Sequence, residues 1–258
     1  MDKKDWNPEL YLRFNRERIQ PSIDLVARIE IEDPKKIIDI GCGPGNSTRI
    51  LHDRWPIAGI LGIDKSESMI SRAVSDFPNQ EWKLFDVETD EFSDTYDMVY
   101  SNATIQWIHN HDRLLKKLSE IVIPSGVLAI QVPLFFTMPL GLSISRTAQN
   151  SKWSHLTKDV DKLFTILSSV EYYDILSELF GKVEMWETHY IHIMESHDSI
   201  LEMIRSTGLK PYIDKLENDN DRNQFEETVL KSIKSDYAMQ KDGKILFPFH
   251  RLFFIGYK

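Results

Sequence analysis

Only one cysteine, Cys42, stands among 258 residues. No internal disulfide can form from it, and one sulfur cannot build a thiolate zinc site. None of the eight histidines falls in an H-E-x-x-H array, so no resident metal is expected. No stretch approaches 18 consecutive apolar residues, and no membrane-spanning helix is expected. Met1 to Asp5 is charged with no apolar segment behind it, so no secretory signal is expected either. Positive charge is also short. The 31 Lys and Arg face 40 Asp and Glu, a net charge of −9. That balance disfavours nucleic acid and anionic membrane surfaces as partners. Fixed-period repeats and low-complexity tracts are missing, which excludes solenoids and disordered arrays. These absences leave a cytoplasmic protein with a small-molecule partner and no evident obligate protein partner.

What is present is an ordinary globular composition, 41% hydrophobic and 28% charged, with 13 Phe, 9 Tyr and 6 Trp. Pro8 to Ile29 carries Leu12, Ile19, Ile23, Val26 and Ala27 at helical spacing. After it, short apolar runs alternate with amphipathic stretches. Strands are predicted over 36–40, 59–63, 81–85, 96–101 and 127–132, with helices over 46–54, 66–74 and 112–121. Pro124-Ser125-Gly126 reads as a turn before the fifth strand. Repeated units of this length predict a doubly wound, mostly parallel α/β sheet. Residues 134–181 read as helices, an insertion covering the active face. Lys182 to Met194 alternates as a long strand, 196–206 and 220–239 read as helices, and 244–257 as a final strand or hairpin. The last two strands predict an antiparallel edge. One domain is expected: an N-terminal helical segment (1–30), a core (31–133), the cover (134–181) and a C-terminal part (182–258).

The glycine turn Gly41-Cys42-Gly43-Pro44-Gly45 lies between strand and helix. Glycine lets backbone approach a ligand, and the next helix offers its first N–H groups. The dinucleotide pattern G-x-G-x-x-G is not met, because Asn46 occupies its last slot. This argues against NAD and for another nucleoside ligand, although an ordinary tight turn is an equal reading. Asp64 ends the second strand, where a carboxylate can accept from a ribose diol or cap the following helix. Asp86 ends the third, where it can accept from an adenine amine or serve the loop. Three such features, each at a carboxyl end, mark the side where open sheets bind ligands.

Asp39-Ile-Gly-Cys-Gly-Pro-Gly-Asn46, Gly62-Ile-Asp64, Asp86 and Pro124-Ser-Gly126 resemble the class I S-adenosylmethionine-dependent methyltransferases. Further segments resemble the branch of that family that esterifies small polycarboxylic acids, trans-aconitate among them. They are Asp5-Trp-Asn-Pro8 with Tyr11, Arg54-Trp-Pro56, Asn102-Ala-Thr-Ile-Gln-Trp107, Tyr172-Tyr-Asp-Ile-Leu176, Tyr190, His192, Thr207-Gly-Leu209 and Pro248-Phe-His-Arg251. The resemblance implies a Rossmann-like sheet of seven strands. It also implies methyl transfer from S-adenosylmethionine to a carboxylate oxygen, without metal or general base, leaving S-adenosylhomocysteine. The residues it assigns to the cofactor are Asp39, Gly41, Cys42, Gly43, Asn46, Asp64, Lys65, Met69, Asp86, Val87, Asn102, Ala103 and Gln106.

Acceptor binding then falls to Trp6, Tyr11, Gln106, Trp107, Tyr173, Tyr190, His192 and Arg251. Arg251 heads this set, since a guanidinium grips a carboxylate through two bonds and a cation in an apolar run needs a partner. An internal ion pair is the alternative. Tyr190 and His192 share one strand face; an edge surface is their alternative. Trp6, Tyr11, Tyr173 and Trp107 can equally be packing aromatics. Arg13, Arg16 and Arg18, interleaved with Glu9 and Glu17, read as a solvated helix face. Two rival functions remain open: methylation of an acyl-chain acid, and S-adenosylmethionine binding without turnover.

Overall fold

The computed structural model describes residue 9 and residues 14–258. Trp6, Tyr11 and Arg13 and the side chain of Arg16 lie outside the described residues. Seven strands form one sheet: β1 (Lys36–Ile40), β2 (Gly59–Asp64), β3 (Glu81–Leu84), β4 (Tyr96–Asn102), β5 (Val122–Pro133), β6 (Lys182–Met194) and β7 (Ile245–Tyr257). Their order is β3-β2-β1-β4-β5-β7-β6. β1 to β5 pair in parallel, and β7 runs antiparallel between β5 and β6. The predicted antiparallel edge is therefore present, with 244–257 forming one long strand and no hairpin. Val127 to Val132 is fully buried, as a strand covered on both faces must be. β5 starts earlier than expected. Its pairing with β4 shifts register between Tyr96 and Met98, and Ser125 takes a φ of 66°. The turn at 124–126 is thus an irregularity within the strand, not its beginning.

Three apolar clusters hold the molecule. On one sheet face α1 (Asn15–Arg28) covers Tyr100, Ala129 and Phe253 with Leu25, Val26 and Ile29. On the other, α4 (His111–Glu120) and α7 (Ser169–Leu179) pack Leu114, Leu118, Tyr172 and Leu176 onto Ile38, Ile40 and Ile130. The third cluster is the cover. It joins α5 (Pro139–Ala148) to α8 (His197–Arg205) and α10 (Asp219–Asp236) through Leu140, Ile144, Ile204, Phe225 and Val229. The cover therefore differs from the expected 134–181 insertion. α7 leaves it to cover the sheet, and helices from beyond β6 complete it. Among the described residues, no helix is long and apolar enough to cross a membrane.

The apolar stripe of the first helix also differs from expectation. Ile23 is exposed, whereas Arg18, Ser22, Leu25 and Ile29 are buried. Those four positions recur at helical spacing and define the inward face. Two of them are polar because the groups they meet are polar. Ser22 Oγ lies 2.6 Å from the hydroxyl of buried Tyr100. Arg18 reaches across to the end of α8.

Candidate active site

A cavity of about 460 Å³ opens at the carboxyl ends of β1, β2 and β4, beneath the cover. Its position is the one open α/β sheets reserve for ligands, where the strand order reverses.

One end is acidic and built from local turns. Gly41 and Gly43 have φ of 70° and 55°, in the left-handed region. A Cβ on Gly41 would lie 2.1 Å from Thr104 Cγ2, so the β1 turn fits only without a side chain. At Gly43 a Cβ would meet nothing within 4 Å, because the turn borders the cavity there. Gly43 N–H donates to Asp64 Oδ2 at 2.9 Å, and Ser66 N–H donates to Asp64 Oδ1 at 2.9 Å. Asp64 thus braces the turn before α3 (Glu67–Asp76), and it also lines the cavity. Ser66 is the N-cap, accepting from Met69 N–H at 3.2 Å. Asp86, Lys65, Met69 and Val87 complete this end. Asp86 Oδ1 also accepts from Glu88 N–H at 3.0 Å, which fixes its own turn.

The middle is set by the turn after β4. Ala103 has a φ of 54°, a strained conformation for a residue with a Cβ. It brings Asn102, Gln106 and Trp107 to one wall of the cavity. Gln106 Nε2 donates to Ala103 O at 2.7 Å. Asn102 Oδ1 and Gln106 Oε1 are buried acceptors without a hydrogen-bond partner among the described residues. A buried acceptor left without a donor is costly, so both carry the mark of a ligand that donates. Trp107 packs at a tilt against Phe164 of the cover, with ring centroids 4.6 Å apart and planes 41° from parallel.

The other end is basic and assembled from distant segments. Arg251 on β7 is 4% exposed and lines the cavity. Its Nη1 donates to Gln131 Oε1 at 3.1 Å, and its guanidinium lies 4.5 Å above the Phe249 ring. Arg18 lines the same cavity at 9% exposure. Its Nη2 donates to Met203 O at 2.7 Å and to Ser206 Oγ at 3.0 Å. The expected solvated face of the first helix is corrected at this residue. Met203, Ile204 and Leu163 give the cavity an apolar roof.

Several expected site residues are not brought to the cavity wall. Asp39 is fully buried and accepts from Ser47 Oγ and Thr48 Oγ1, both at 2.6 Å. It ties β1 to the first turn of α2 (Asn46–Arg54), and burial lifts its carboxyl to about 6. Cys42 is buried between the glycines, its thiol held neutral by burial. Asn46 opens α2 behind the turn and does not line the cavity. Tyr173 is 52% exposed on α7. Its neighbour Tyr172 is the buried one, 2.8 Å from His111 Nδ1, because successive helix residues point about 100° apart. Tyr190 donates to Asp24 Oδ2 at 2.5 Å and does not line the cavity. His192 does not line it either. Its imidazole is 9% exposed and its Nε2 has no partner among the described residues. Burial, then the charge of Arg251, pushes it down to about 4, so the ring is neutral at pH 7.

Arg18 and Gln131 are the functional candidates that composition and periodicity did not single out. The signal for Arg18 was its spacing with Ser22, Leu25 and Ile29. Gln131 stood inside a continuous apolar run, where a buried amide needs partners.

A seven-stranded sheet with one reversed strand, and a ligand cavity beside a glycine turn at its carboxyl edge, define a class I methyltransferase. The family model described as a methyltransferase domain matches residues 11–211, and the chain belongs to this family. It is 36% identical over 253 residues to a trans-aconitate 2-methyltransferase of Escherichia coli, covering 98% of each chain. The trans-aconitate 2-methyltransferase of Variovorax paradoxus is likewise 36% identical, over 256 residues and 98% of each chain. Among solved structures, phosphoethanolamine N-methyltransferase 2 of Haemonchus contortus, in complex with S-adenosyl-L-methionine, aligns at a TM-score of 0.59. It is 14% identical and the alignment covers 96% of this chain and 56% of that one.

Proposed function

We propose that this chain transfers a methyl group from S-adenosylmethionine to a carboxylate oxygen of a small polycarboxylic acid, in the first place trans-aconitate. The products are the monomethyl ester and S-adenosylhomocysteine. The observation that carries this reading is the polarity of the cavity. Acidic and acceptor groups (Asp64, Asp86, Asn102, Gln106) line it at the ends of β2, β3 and β4, and Arg251 lines it from β7, two strands beyond β4, with Arg18 also on its wall. The relatives named for trans-aconitate support the choice of acid.

The residues fit the cofactor. Gly43 leaves space for a ligand to approach the turn, and Asp64 stands where a ribose diol is met. The unsatisfied oxygens of Asn102 and Gln106 suit the donors of an ammonium group. Bound there, the cofactor would supply a sulfonium methyl that a nucleophile attacks in line, the C–S bond breaking as the new bond forms and S-adenosylhomocysteine leaving as a neutral thioether. Lys65, Met69 and Val87 border the same end, and Ala103 places the β4 turn against it. Asp39, Cys42 and Asn46 act behind the turn, by fixing its shape.

No general base is required, because a carboxylate is already ionised at neutral pH. Arg251, oriented by Gln131 and Phe249, holds a spare carboxylate of the acceptor. Neutral His192 stands close enough to Arg251 to feel its charge, and supports that arginine without competing for the anion. Trp107, Leu163 and Met203 exclude water over the reacting atoms. Positioning and desolvation thus supply the acceleration, since opposite charges disappear as the bond forms. The single cysteine, Cys42, and the net charge of −9 are in keeping with a cytoplasmic enzyme of small metabolites.

Methyl-labelled S-adenosylmethionine, incubated with trans-aconitate, cis-aconitate, isocitrate, citrate and a medium-chain fatty acid, tests the reading. Label is expected to pass to trans-aconitate well above the others. Transfer to the fatty acid alone would shift the function to acyl-chain acids, which the apolar roof would then serve. Cofactor binding with no transfer to any acid would remove it.

A further inference from the structure

We infer that Gln131 is a positioning residue that links the two ends of the cavity. With a cofactor seated against Asn102, the Gln131 amide donates to Asn102 and holds Arg251 for the acceptor, so each ligand tightens the other. This rests on the carboxylate-methylation reading above. Asn102 and Gln131 are register partners on the parallel strands β4 and β5. Partners in a parallel pair stand on one sheet face, on strands about 4.8 Å apart. Asn102 lines the cavity at the end of β4, and Gln131 is fully buried beside it. Among the described residues, Asn102 Oδ1 is a buried acceptor without a hydrogen-bond partner and Gln131 Nε2 is a buried donor without one. The two unmet groups are complementary neighbours that do not bond to one another.

The other atom of the same amide is occupied. Gln131 Oε1 accepts from Arg251 Nη1 at 3.1 Å, and Arg251 lines the cavity from β7. Gln131 therefore stands between Asn102 and Arg251 with one hydrogen bond made and one open. The main chain at this point is already fixed, since Ala103 N–H donates to Gln131 O at 3.0 Å. Closing the pair requires only side-chain rotation. An amide oxygen has two lone pairs, so Asn102 Oδ1 can accept from Gln131 and from a ligand together. Leaving a buried donor and a buried acceptor unmet is costly. A ligand that fixes the Asn102 amide, with its oxygen toward Gln131, removes that cost. Gln131 is then held at both ends, and Arg251 meets the acceptor already aimed. Linkage is reciprocal, so the acceptor must tighten the cofactor by the same factor.

The test is calorimetry on the full chain. The dissociation constant of trans-aconitate is measured with and without S-adenosylhomocysteine, in wild type, Gln131→Met and Gln131→Glu. Methyl transfer is assayed in parallel. In the wild type, S-adenosylhomocysteine should tighten trans-aconitate about 5- to 50-fold. Gln131→Met nearly keeps the volume and removes both hydrogen bonds, so the factor should fall below about threefold. Gln131→Glu keeps an acceptor for Arg251 but, as a carboxylate, has no donor for Asn102. It should lose the factor as fully. A residue that only braces Arg251 predicts a factor kept in Gln131→Glu, and that result would overturn the inference. So would a factor near one in the wild type, or one kept in Gln131→Met. If neither variant folds, nuclear magnetic resonance on the wild type decides. On addition of S-adenosylhomocysteine the Gln131 side-chain amide protons should move downfield and gain protection from exchange. Amide protons that stay where they were would overturn the inference. The expected factors without methyl transfer would sink the methylation reading alone. Failure of the wild type to bind any polycarboxylate would sink both.

Discussion

The two ends of the cavity are made in different ways. At the acidic end, contacts run between residues close in sequence: Gly43 to Asp64 spans 21 positions, Gln106 to Ala103 three. At the basic end they span the chain: Arg18 to Ser206 covers 188 positions and Arg251 to Gln131 covers 120. A site that holds an invariant cofactor can be written into strand–turn–helix units, each folding its own binding atoms into place. The basic end is assembled from the first helix, the last strand and the cover, so each can vary without disturbing the turns. If this division is real, damage to one end should leave the other working.

The largest effect is expected at the local end. Gly41→Val puts a β-branched side chain at positive φ, on top of Thr104, whose hydroxyl donates to Gly41 O at 3.1 Å. Strain and overpacking together should cost roughly 3 to 5 kcal/mol of stability and abolish cofactor binding. Denaturant titration reads the first and S-adenosylhomocysteine calorimetry the second. Gly43→Ala, with the same positive φ but nothing for a Cβ to strike, should be milder in stability.

Next comes a crossed pair. Arg251→Gln removes a buried charge from the distant end, which costs roughly 2 to 5 kcal/mol at such sites. The acceptor KM should rise 100-fold or more while cofactor affinity holds. Asp64→Asn should do the reverse, with cofactor affinity down roughly 10- to 100-fold and the acceptor KM near wild type. Steady-state kinetics on both variants decides. If both parameters move together in both variants, the two ends are not independent.

How much of this was legible in the sequence follows the same division. The alternation of strands and helices, the reversed edge, the glycine turn, and Asp64 and Asp86 at strand ends were readable because period and turn chemistry are local. The cover was misplaced because 134–164 and 196–239 build one cluster together while α7 packs on the sheet, and no local pattern says which distant helix a surface meets. Arg18 was misread for a sharper reason. Polar residues on a helix are taken to face water, yet here Arg18 and Ser22 occupy the buried face. Binary patterning fails where the interior is itself polar, and that happens at sites. The error at Tyr173 has the opposite origin: the Tyr-Tyr pair was seen, but only packing against α4 decides which ring turns inward.

The ends also differ in acid. Asp39, behind the glycine turn, is lifted to about 6 from 3.8, so the folded chain binds its proton more tightly than the unfolded chain. Its contribution is full below pH 4 and is lost as pH rises through about 6. His192, beside Arg251, is lowered to about 4 from 6.5. Its burial favours the neutral ring, so its contribution is full above pH 6.5 and is lost as pH falls toward 4. Each spans about 3 kcal/mol, and between pH 4 and 6 their slopes oppose. The wild-type denaturation midpoint should therefore vary little from these two groups. Asp39→Asn should make stability rise with pH across that window, and His192→Asn should make it fall. Equal, flat profiles in both variants would show that neither group is held as its surroundings dictate.

The smallest effect separates two adjacent rings. Tyr172→Phe takes a partner from His111, whose Nε2 lies 2.9 Å from Ile105 O and so carries the proton. Nδ1 is then the acceptor for the tyrosine hydroxyl. Removing that hydroxyl leaves a buried imidazole nitrogen unmet, a loss of about 1 to 2 kcal/mol. It also loosens the turn at 105–107 that carries Gln106 and Trp107, so the acceptor KM should rise a few-fold. Tyr173→Phe changes an exposed ring and should stay within about 0.5 kcal/mol with unaltered kinetics. The contrast reaches the main comparison at its boundary, because 105–107 puts Gln106 and Trp107 on the cavity wall beneath the cover. Its local bonds hold the cavity wall, while Thr165 N–H of the cover donates to Gln106 O at 2.9 Å. A Tyr172→Phe variant that weakened cofactor and acceptor alike would mark this turn as the hinge through which two otherwise separate ends are kept in register.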